Sequence, residues 1–165
     1  MLVTSRWNLR AENDCLFIDD ISIGKVVLQH NARPGMLPYI HPLRIADGNI
    51  CITEDSPSHH PHQHGIQTGF TGVNGCDFWH YPGHHPDHVV GLIQPSLPRI
   101  IGTSPPRWTI EAVWRHANGS HLIAEQQDWS LLASGELLFL DLDWTLRAIA
   151  HSSHKPPKNK KSKNS

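Results

Sequence analysis

The sequence predicts an all-β fold, an antiparallel β-sandwich, on three observations. Residues 136–147 alternate between apolar and polar side chains, as a strand buried on one face requires. Residues 107–116 repeat this period of two, and turn-forming pairs separate such runs. No stretch carries the 3.6-residue apolar spacing of an amphipathic helix. A chain of this length fits one domain, which we place at residues 1–150.

Short apolar runs in the first two thirds of the chain predict four strands. They are rich in Val, Ile and Leu and are bounded by Gly, Pro, Asn or Asp. In chain order they occupy residues 16–21, 25–30, 49–53 and 88–93.

The clearest predicted unit is a three-stranded meander over residues 107–147. Its strands are residues 107–116, 121–128 and 136–147. Asn118-Gly119 is the favoured centre of a two-residue type I′ hairpin, because both positions tolerate positive φ. Ser134-Gly135 offers the second turn.

Two segments differ in composition from these strands. Residues 54–87 are dense in His, Pro, Gly and Asp, and a loop of this length is usually functional or disordered. Its Phe78 and Trp79 favour an ordered, packed loop. Residues 151–165 are rich in lysine and lack large apolar side chains, which predicts a disordered tail.

Charge and composition exclude several functional classes. The net charge is -1, but the last eleven residues hold five lysines and no acid, which leaves nine basic and 15 acidic residues elsewhere. This acidic body argues against a nucleic-acid partner. No apolar run is long enough to span a membrane and no signal-peptide core is present, so we expect a cytoplasmic protein without a membrane partner. Three widely spaced cysteines predict buried free thiols.

Histidine is the unusual component of the composition. Eight of the fourteen histidines fall within residues 59–88. In an extended segment, His60, His62 and His64 would share one face at a spacing of roughly 6.5–7 Å, so modest bending would let them bind a divalent transition metal. Glu54, Asp55 or Asp77 would complete such a site. The alternative is that these are surface loop histidines bonded to backbone or water.

The segment after the histidine run combines a turn, an acid and two aromatic residues. Asn74-Gly75 predicts a turn, and Asp77 and His80 would line a pocket with Trp79 as its wall, which suits a sugar ring. The alternative is that Phe78 and Trp79 are core residues. We assign a catalytic role to Asp77 and to His62, and ligand binding to Asn74 and Trp79.

A second polar patch precedes the loop and is bounded by prolines. His41 is predicted to be catalytic as a general acid or base, because its unperturbed pKa lies near neutrality. Arg33 and Tyr39 are assigned to ligand binding. A structural role for His41 is the alternative. His84, His85 and His88 are predicted to lie outside the site.

Three ordered motifs resemble the bacterial PmoA-like family, whose label is methane oxygenase PmoA. They are PYIHPLR at residues 38–44, HPHQHG at 60–65 and VNGCDFW at 73–79. The resemblance covers residues 17–147 and implies a β-sandwich similar in general appearance to sugar-handling folds. Gln63 and His64 depart from the family pattern, which has a second histidine and an arginine there. Family members continue with further strands, so the resemblance implies an incomplete sandwich.

Two classes of function follow from these patterns. The first is a small-molecule enzyme with a carbohydrate-like substrate, in which His60, His62 and His64 are metal ligands or acid/base groups, Asp77 orients one of them and Trp79 forms the pocket wall. The second is a non-catalytic binding module, or a truncated and degenerate family member.

Overall fold

Ten β-strands form two antiparallel five-stranded sheets in the computed structural model, which describes residues 6–45, 47–80 and 87–149. Within these ranges the chain forms no α-helix, and hence none that could cross a membrane. The all-β, sandwich-like fold predicted from the alternating runs is therefore confirmed. The predicted lysine-rich tail, residues 151–165, lies outside the described residues.

The strands of the first sheet are β1 (Trp7–Glu12), β2 (Cys15–Asp20), β3 (Lys25–Asn31), β4 (Tyr39–Leu43) and β5 (Ile66–Gln67). They form a simple meander in that order. The runs predicted at residues 16–21 and 25–30 are confirmed as β2 and β3. The sequence did not predict β1, which is short and buries only Trp7 of its six residues. A two-residue turn with positive φ at Asn13 and Asp14 joins it to β2, the pattern of a type I′ hairpin.

The strands of the second sheet are β6 (Leu92–Pro95), β7 (Arg99–Thr103), β8 (Pro106–Arg115), β9 (His121–Ser134) and β10 (Leu137–Ala148). The sheet contains the predicted meander and has the order β10-β9-β8-β6. β7 also pairs with β8, so β6 and β7 lie end to end along one edge of that strand. The middle strand of the meander, β9, runs six residues beyond its predicted end, because its pairing with β10 continues.

Three local predictions were wrong. The β8–β9 turn is not a two-residue type I′ turn, because only Gly119 has positive φ and the His116 amide donates to the Ser120 carbonyl across three residues. Residues 49–53 form no strand, only an isolated bridge between Cys51 and Arg44. The strand predicted at 88–93 begins only at Leu92, because the residues before it contact the loop instead.

The principal core lies between the two sheets. Alternate side chains of β2 and β3 meet the inward face of β8 and β9, where Trp108 and Trp129 stack in parallel at 6.2 Å between centroids. Three leucines of β10 pack against this core while remaining partly exposed, as a half-buried strand predicts. The first sheet thus covers one half of the inward face of the second.

A second core shows what covers the other half. Phe78 and Cys76 of the long loop pack with Ile93, Ala112 and Trp114 of the second sheet. The Phe78 and Trp114 ring centroids lie 4.9 Å apart. Residues 76–80 of the loop are therefore packed as part of the sandwich, and this packing holds the adjacent polar residues in place. Cys15 and Cys76 are buried free thiols as predicted, whereas Cys51 is only half-buried.

Candidate metal centre

A tight turn leads the chain into the candidate site. Val73 and Cys76 exchange two backbone hydrogen bonds of 2.9 Å, and both Asn74 and Gly75 have positive φ. These are the features of a two-residue type I′ turn, which the Asn-Gly pair predicts. Asp77 is the second residue after the turn's central pair and is 4% exposed.

The backbone of Asp77 is held against the segment that precedes β6. Its amide donates to the Val89 carbonyl and its carbonyl accepts from the Gly91 amide, both at 2.8 Å. Gly91 is required by this packing, because a Cβ there would lie 2.3 Å from the Phe78 ring. Two segments far apart in sequence are thus fixed side by side, with Asp77 on one and His88 on the other.

The carboxylate of Asp77 accepts four hydrogen bonds. Its Oδ1 accepts from the backbone amides of Trp79 at 2.8 Å and His80 at 3.1 Å. Its Oδ2 lies 2.7 Å from Nδ1 of His80 and 2.5 Å from Nδ1 of His88. Burial alone raises the pKa of Asp77, but the two amides and two imidazoles outweigh burial and hold the pKa far below its usual value. The group is therefore an anion at neutral pH.

Asp77, His80 and His88 have the donor atoms and spacing of a metal site. One ligand atom from each lies within 4.8 Å of the other two, the only such group of three or more among residues 6–45, 47–80 and 87–149. A tetrahedral zinc ion with bonds of roughly 2.0–2.2 Å needs ligand atoms about 3.3–3.6 Å apart. The two separations between Asp77 Oδ2 and the imidazoles are hydrogen-bond lengths, so these atoms would have to move apart by roughly 1 Å to form a coordination shell.

Two other predicted site residues lie beside this centre. The buried His62 ring is 4.7 Å from the His80 ring and 6.0 Å from the Trp79 indole, measured between centroids. The His60 and His62 rings are stacked, with 5.8 Å between their centroids. The structure thus brings together His62, Asp77 and Trp79, which the sequence assigned to one site.

The predicted triad of His60, His62 and His64 does not converge. Its premise was an extended segment, but the His60 amide donates to Pro57 and the Gln63 amide to His60, which makes residues 57–63 a succession of turns. The alternation of side chains is therefore lost. His64 instead contacts the Asp55 carboxylate through Nδ1, and its ring lies 4.8 Å from that of Tyr39.

The remaining predicted residues occupy other surroundings. His41 Nδ1 is 3.0 Å from the Thr53 hydroxyl. Tyr39 is buried, and burial together with the Asp55 carboxylate raises its pKa. Arg33 is exposed, and Asn74 is exposed at the tip of its turn. The geometry gathers none of these four into the metal-spaced group.

The structure places His88, which the sequence analysis left outside the site, in contact with Asp77, and its imidazole makes the shorter of the two contacts. Eleven residues separate the pair in sequence, and the parallel bridge between Asp77 and Val90 brings them together. The Asp-x-x-His spacing of Asp77 and His80 was a usable local signal, whereas no local pattern indicates that bridge. His84 and His85 lie outside the described residues.

A cavity of about 300 Å³ adjoins the centre. It is lined by Asp77 and His88 together with Thr71, Gly72, Gly75, Cys76, Asp87 and Val89. A bound ion would therefore lie at the wall of a space that admits a small molecule.

Comparison with known proteins identifies the family of the chain, and the description of that family names no activity. No curated protein and no solved structure matches the chain. One family, described as a family of unknown function (DUF6807), matches residues 23–154. This range holds Asp77, His80 and His88 and eight of the ten strands, β3 to β10. The chain therefore belongs to the DUF6807 family.

Proposed function

We propose that the protein binds one divalent transition metal ion through Asp77, His80 and His88 and uses it in a reaction on a small polar molecule. The observation that carries this proposal is the buried Asp77 carboxylate, which is shared by two imidazoles from separate segments. One carboxylate and two histidines form the ligand set of many mononuclear zinc and non-haem iron centres.

The hydrogen bonding of Asp77 supports a functional role for this arrangement. Two backbone amides satisfy Oδ1, which leaves Oδ2 to meet both imidazoles. An ionised carboxylate is a ready metal ligand, and a divalent ion would replace the protons that now lie between Oδ2 and the two rings.

The surroundings suit chemistry on a bound molecule. Three protein ligands leave a coordination position for water or substrate, and a divalent ion lowers the pKa of such a water. His62, packed against His80, is the residue we assign to move a proton at that position. Trp79 is partly exposed beside His62 and offers an aromatic face to the substrate.

The surroundings of the proposed metal centre also bear on the class of substrate. The adjacent cavity has room for a carbohydrate-like molecule, and the Trp79 indole, which does not line that cavity, is an aromatic face of the kind on which sugar rings stack. The resemblance to PmoA-like proteins adds oxygenase chemistry as an expectation, and the two-histidine, one-carboxylate set fits an iron enzyme of that kind as well as a zinc hydrolase. Both expectations stay predictions.

Metal titration of the purified, metal-stripped protein tests the proposal. We expect one equivalent of Zn²⁺ to bind, and His88→Ala to weaken that binding by about 10–100-fold or more, the scale on which altered metal surroundings act. Calorimetric titration measures both values, and a parallel anaerobic Fe²⁺ titration compares the two metals.

Two variants serve as controls. His121→Ala removes an exposed histidine at the start of β9 and should leave the titration unchanged. His64→Ala removes a histidine of the sequence-predicted triad that the structure pairs with Asp55. Loss of binding in His64→Ala with retention in His88→Ala would refute the assignment of ligands.

A further inference from the structure

A groove of about 520 Å³ crosses the outward face of the second sheet. On β8, Trp108, Ile110, Ala112 and Trp114 are buried inward, so the intervening Glu111 and Arg115 face outward. Side chains of the paired strands β6, β9 and β10 complete the groove. None of its lining residues belongs to the Asp77 centre, which the loop holds against the opposite face.

Two arginines give the groove a positive character. Arg115 of β8 and Arg147 of β10 both line it, and within the described part of the chain neither makes an ion pair or a hydrogen bond through its side chain. The Nε atom of Arg115 is buried without a hydrogen-bond partner. A buried donor on a charged group is costly when unsatisfied, so this geometry favours an acceptor supplied by a ligand.

Two residues with carboxylates line the groove, Glu111 and Glu125. Glu111 is exposed, whereas Glu125 is 4% exposed and its carboxylate points inward. There Glu125 accepts hydrogen bonds from Trp114 at 2.6 Å, Gln127 at 2.7 Å and Trp144 at 2.8 Å. Two guanidinium groups therefore face one carboxylate in the groove, which leaves a net positive charge for an anion.

The other lining side chains indicate which further functional groups the bound anion has. Gln94, Gln126 and Thr145 present amide and hydroxyl groups that both donate and accept hydrogen bonds. No aromatic side chain is among the lining residues, so the groove has no aromatic face on which a neutral sugar ring could stack. The volume is within the range of small-molecule sites.

We propose that this groove binds a small polyhydroxy carboxylate, with Arg115 and Arg147 on the carboxylate and the amide and hydroxyl side chains on the hydroxyl groups. The planar guanidinium fork matches carboxylate geometry, which explains why arginine rather than lysine lines the groove. This site is separate from the proposed metal centre and does not depend on it.

Calorimetric titration with three probes tests this proposal: D-glucuronate, D-glucose and D-glucose 6-phosphate. Glucuronate should bind saturably, and glucose, which lacks the carboxylate, at least about tenfold more weakly. Arg115→Gln and Arg147→Gln should each weaken glucuronate binding about tenfold or more. Equal affinity for glucose and glucuronate, or tighter binding of the phosphate than of glucuronate, would refute the carboxylate assignment.

The controls separate this groove from general electrostatics and from the metal centre. Arg99→Gln removes an exposed arginine of β7 on the same outward face but outside the groove, and should leave glucuronate binding unchanged. Asp77→Asn should also leave it unchanged. The arginine variants should have the same melting temperature as the native chain, which shows that a loss of binding is not a loss of folding. Absence of any glucuronate binding, or equal loss in Arg99→Gln, would overturn the proposal.

Discussion

Acidification from pH 7 to pH 3 is expected to unfold the protein, with His30 as the principal cause. His30 is completely buried between the sheets, and burial lowers its pKa from 6.5 to about 3. Between pH 6.5 and about pH 3 the unfolded chain therefore binds a proton at His30 that the folded chain does not bind. The unfolding free energy falls as the pH drops below 6.5, and it stops falling below about pH 3. The shift corresponds to roughly 5 kcal/mol, a large part of the stability of an ordinary domain.

The surroundings of His30 explain why the ring stays neutral. Its Nδ1 accepts a hydrogen bond from the Trp108 indole at 2.9 Å, which places the single proton on Nε2. Nε2 has no hydrogen-bond partner in the described part of the chain, and the Trp129 ring packs edge-on at 5.4 Å between centroids. A charged imidazolium would find no anion here.

Chemical denaturation at several pH values, followed by tryptophan fluorescence, measures this effect. His30→Gln keeps an acceptor for Trp108 and removes the titrating group. The fall in unfolding free energy between pH 8 and pH 5 should be about 2 kcal/mol smaller in that variant than in the native chain. His121→Gln, at an exposed position, should retain the native slope. An unchanged slope in His30→Gln would contradict the assignment.

Replacement of Asp77 by alanine is expected to be the most damaging change in the loop. It removes the acceptor of four hydrogen bonds, two from amides and two from imidazoles, in a buried place. We expect a loss of about 3 kcal/mol or more in unfolding free energy, together with loss of metal binding. Asp77→Asn keeps an oxygen for the two amides but no anion for the imidazoles, so it should fold more stably than Asp77→Ala and still fail to bind metal.

Asp87→Ala is the matched control, because Asp87 lines the same cavity but is exposed. Its stability should lie within about 0.5 kcal/mol of the native chain. Urea denaturation measures all three variants. If Asp77→Ala were as stable as Asp87→Ala, the carboxylate would not hold the loop in the way described.

The sequence predicted the parts of the fold that local pattern controls. The alternation in residues 107–116 and 136–147 gave β8 and β10 to within one residue at either end, because both strands bury one face. β5 was not predicted, because it has only two residues and is defined by its pairing with β4. The strand predicted at 49–53 has the right composition, but its residues are largely exposed and make one bridge.

The sequence predicted which residues lie near the site better than it predicted how they are arranged. Asp77, His62 and Trp79 were assigned correctly to one neighbourhood, since turns and aromatic packing in the loop are local features. The metal-spaced group differs from the predicted triad, because backbone turns at residues 57–63 separate His64 from His62 and a long-range bridge supplies His88. Neither this arrangement of turns nor the long-range bridge can be predicted from a short stretch of sequence.

The central claim is that Asp77, His80 and His88 hold one divalent metal ion. Anomalous diffraction at the zinc edge, from crystals of the protein grown with one equivalent of Zn²⁺, tests it most directly. We expect a single strong peak, roughly 2.0–2.2 Å from one Asp77 oxygen and from one ring nitrogen each of His80 and His88. A fully occupied peak at His60, His62 and His64, or no peak beside Asp77, would contradict the claim.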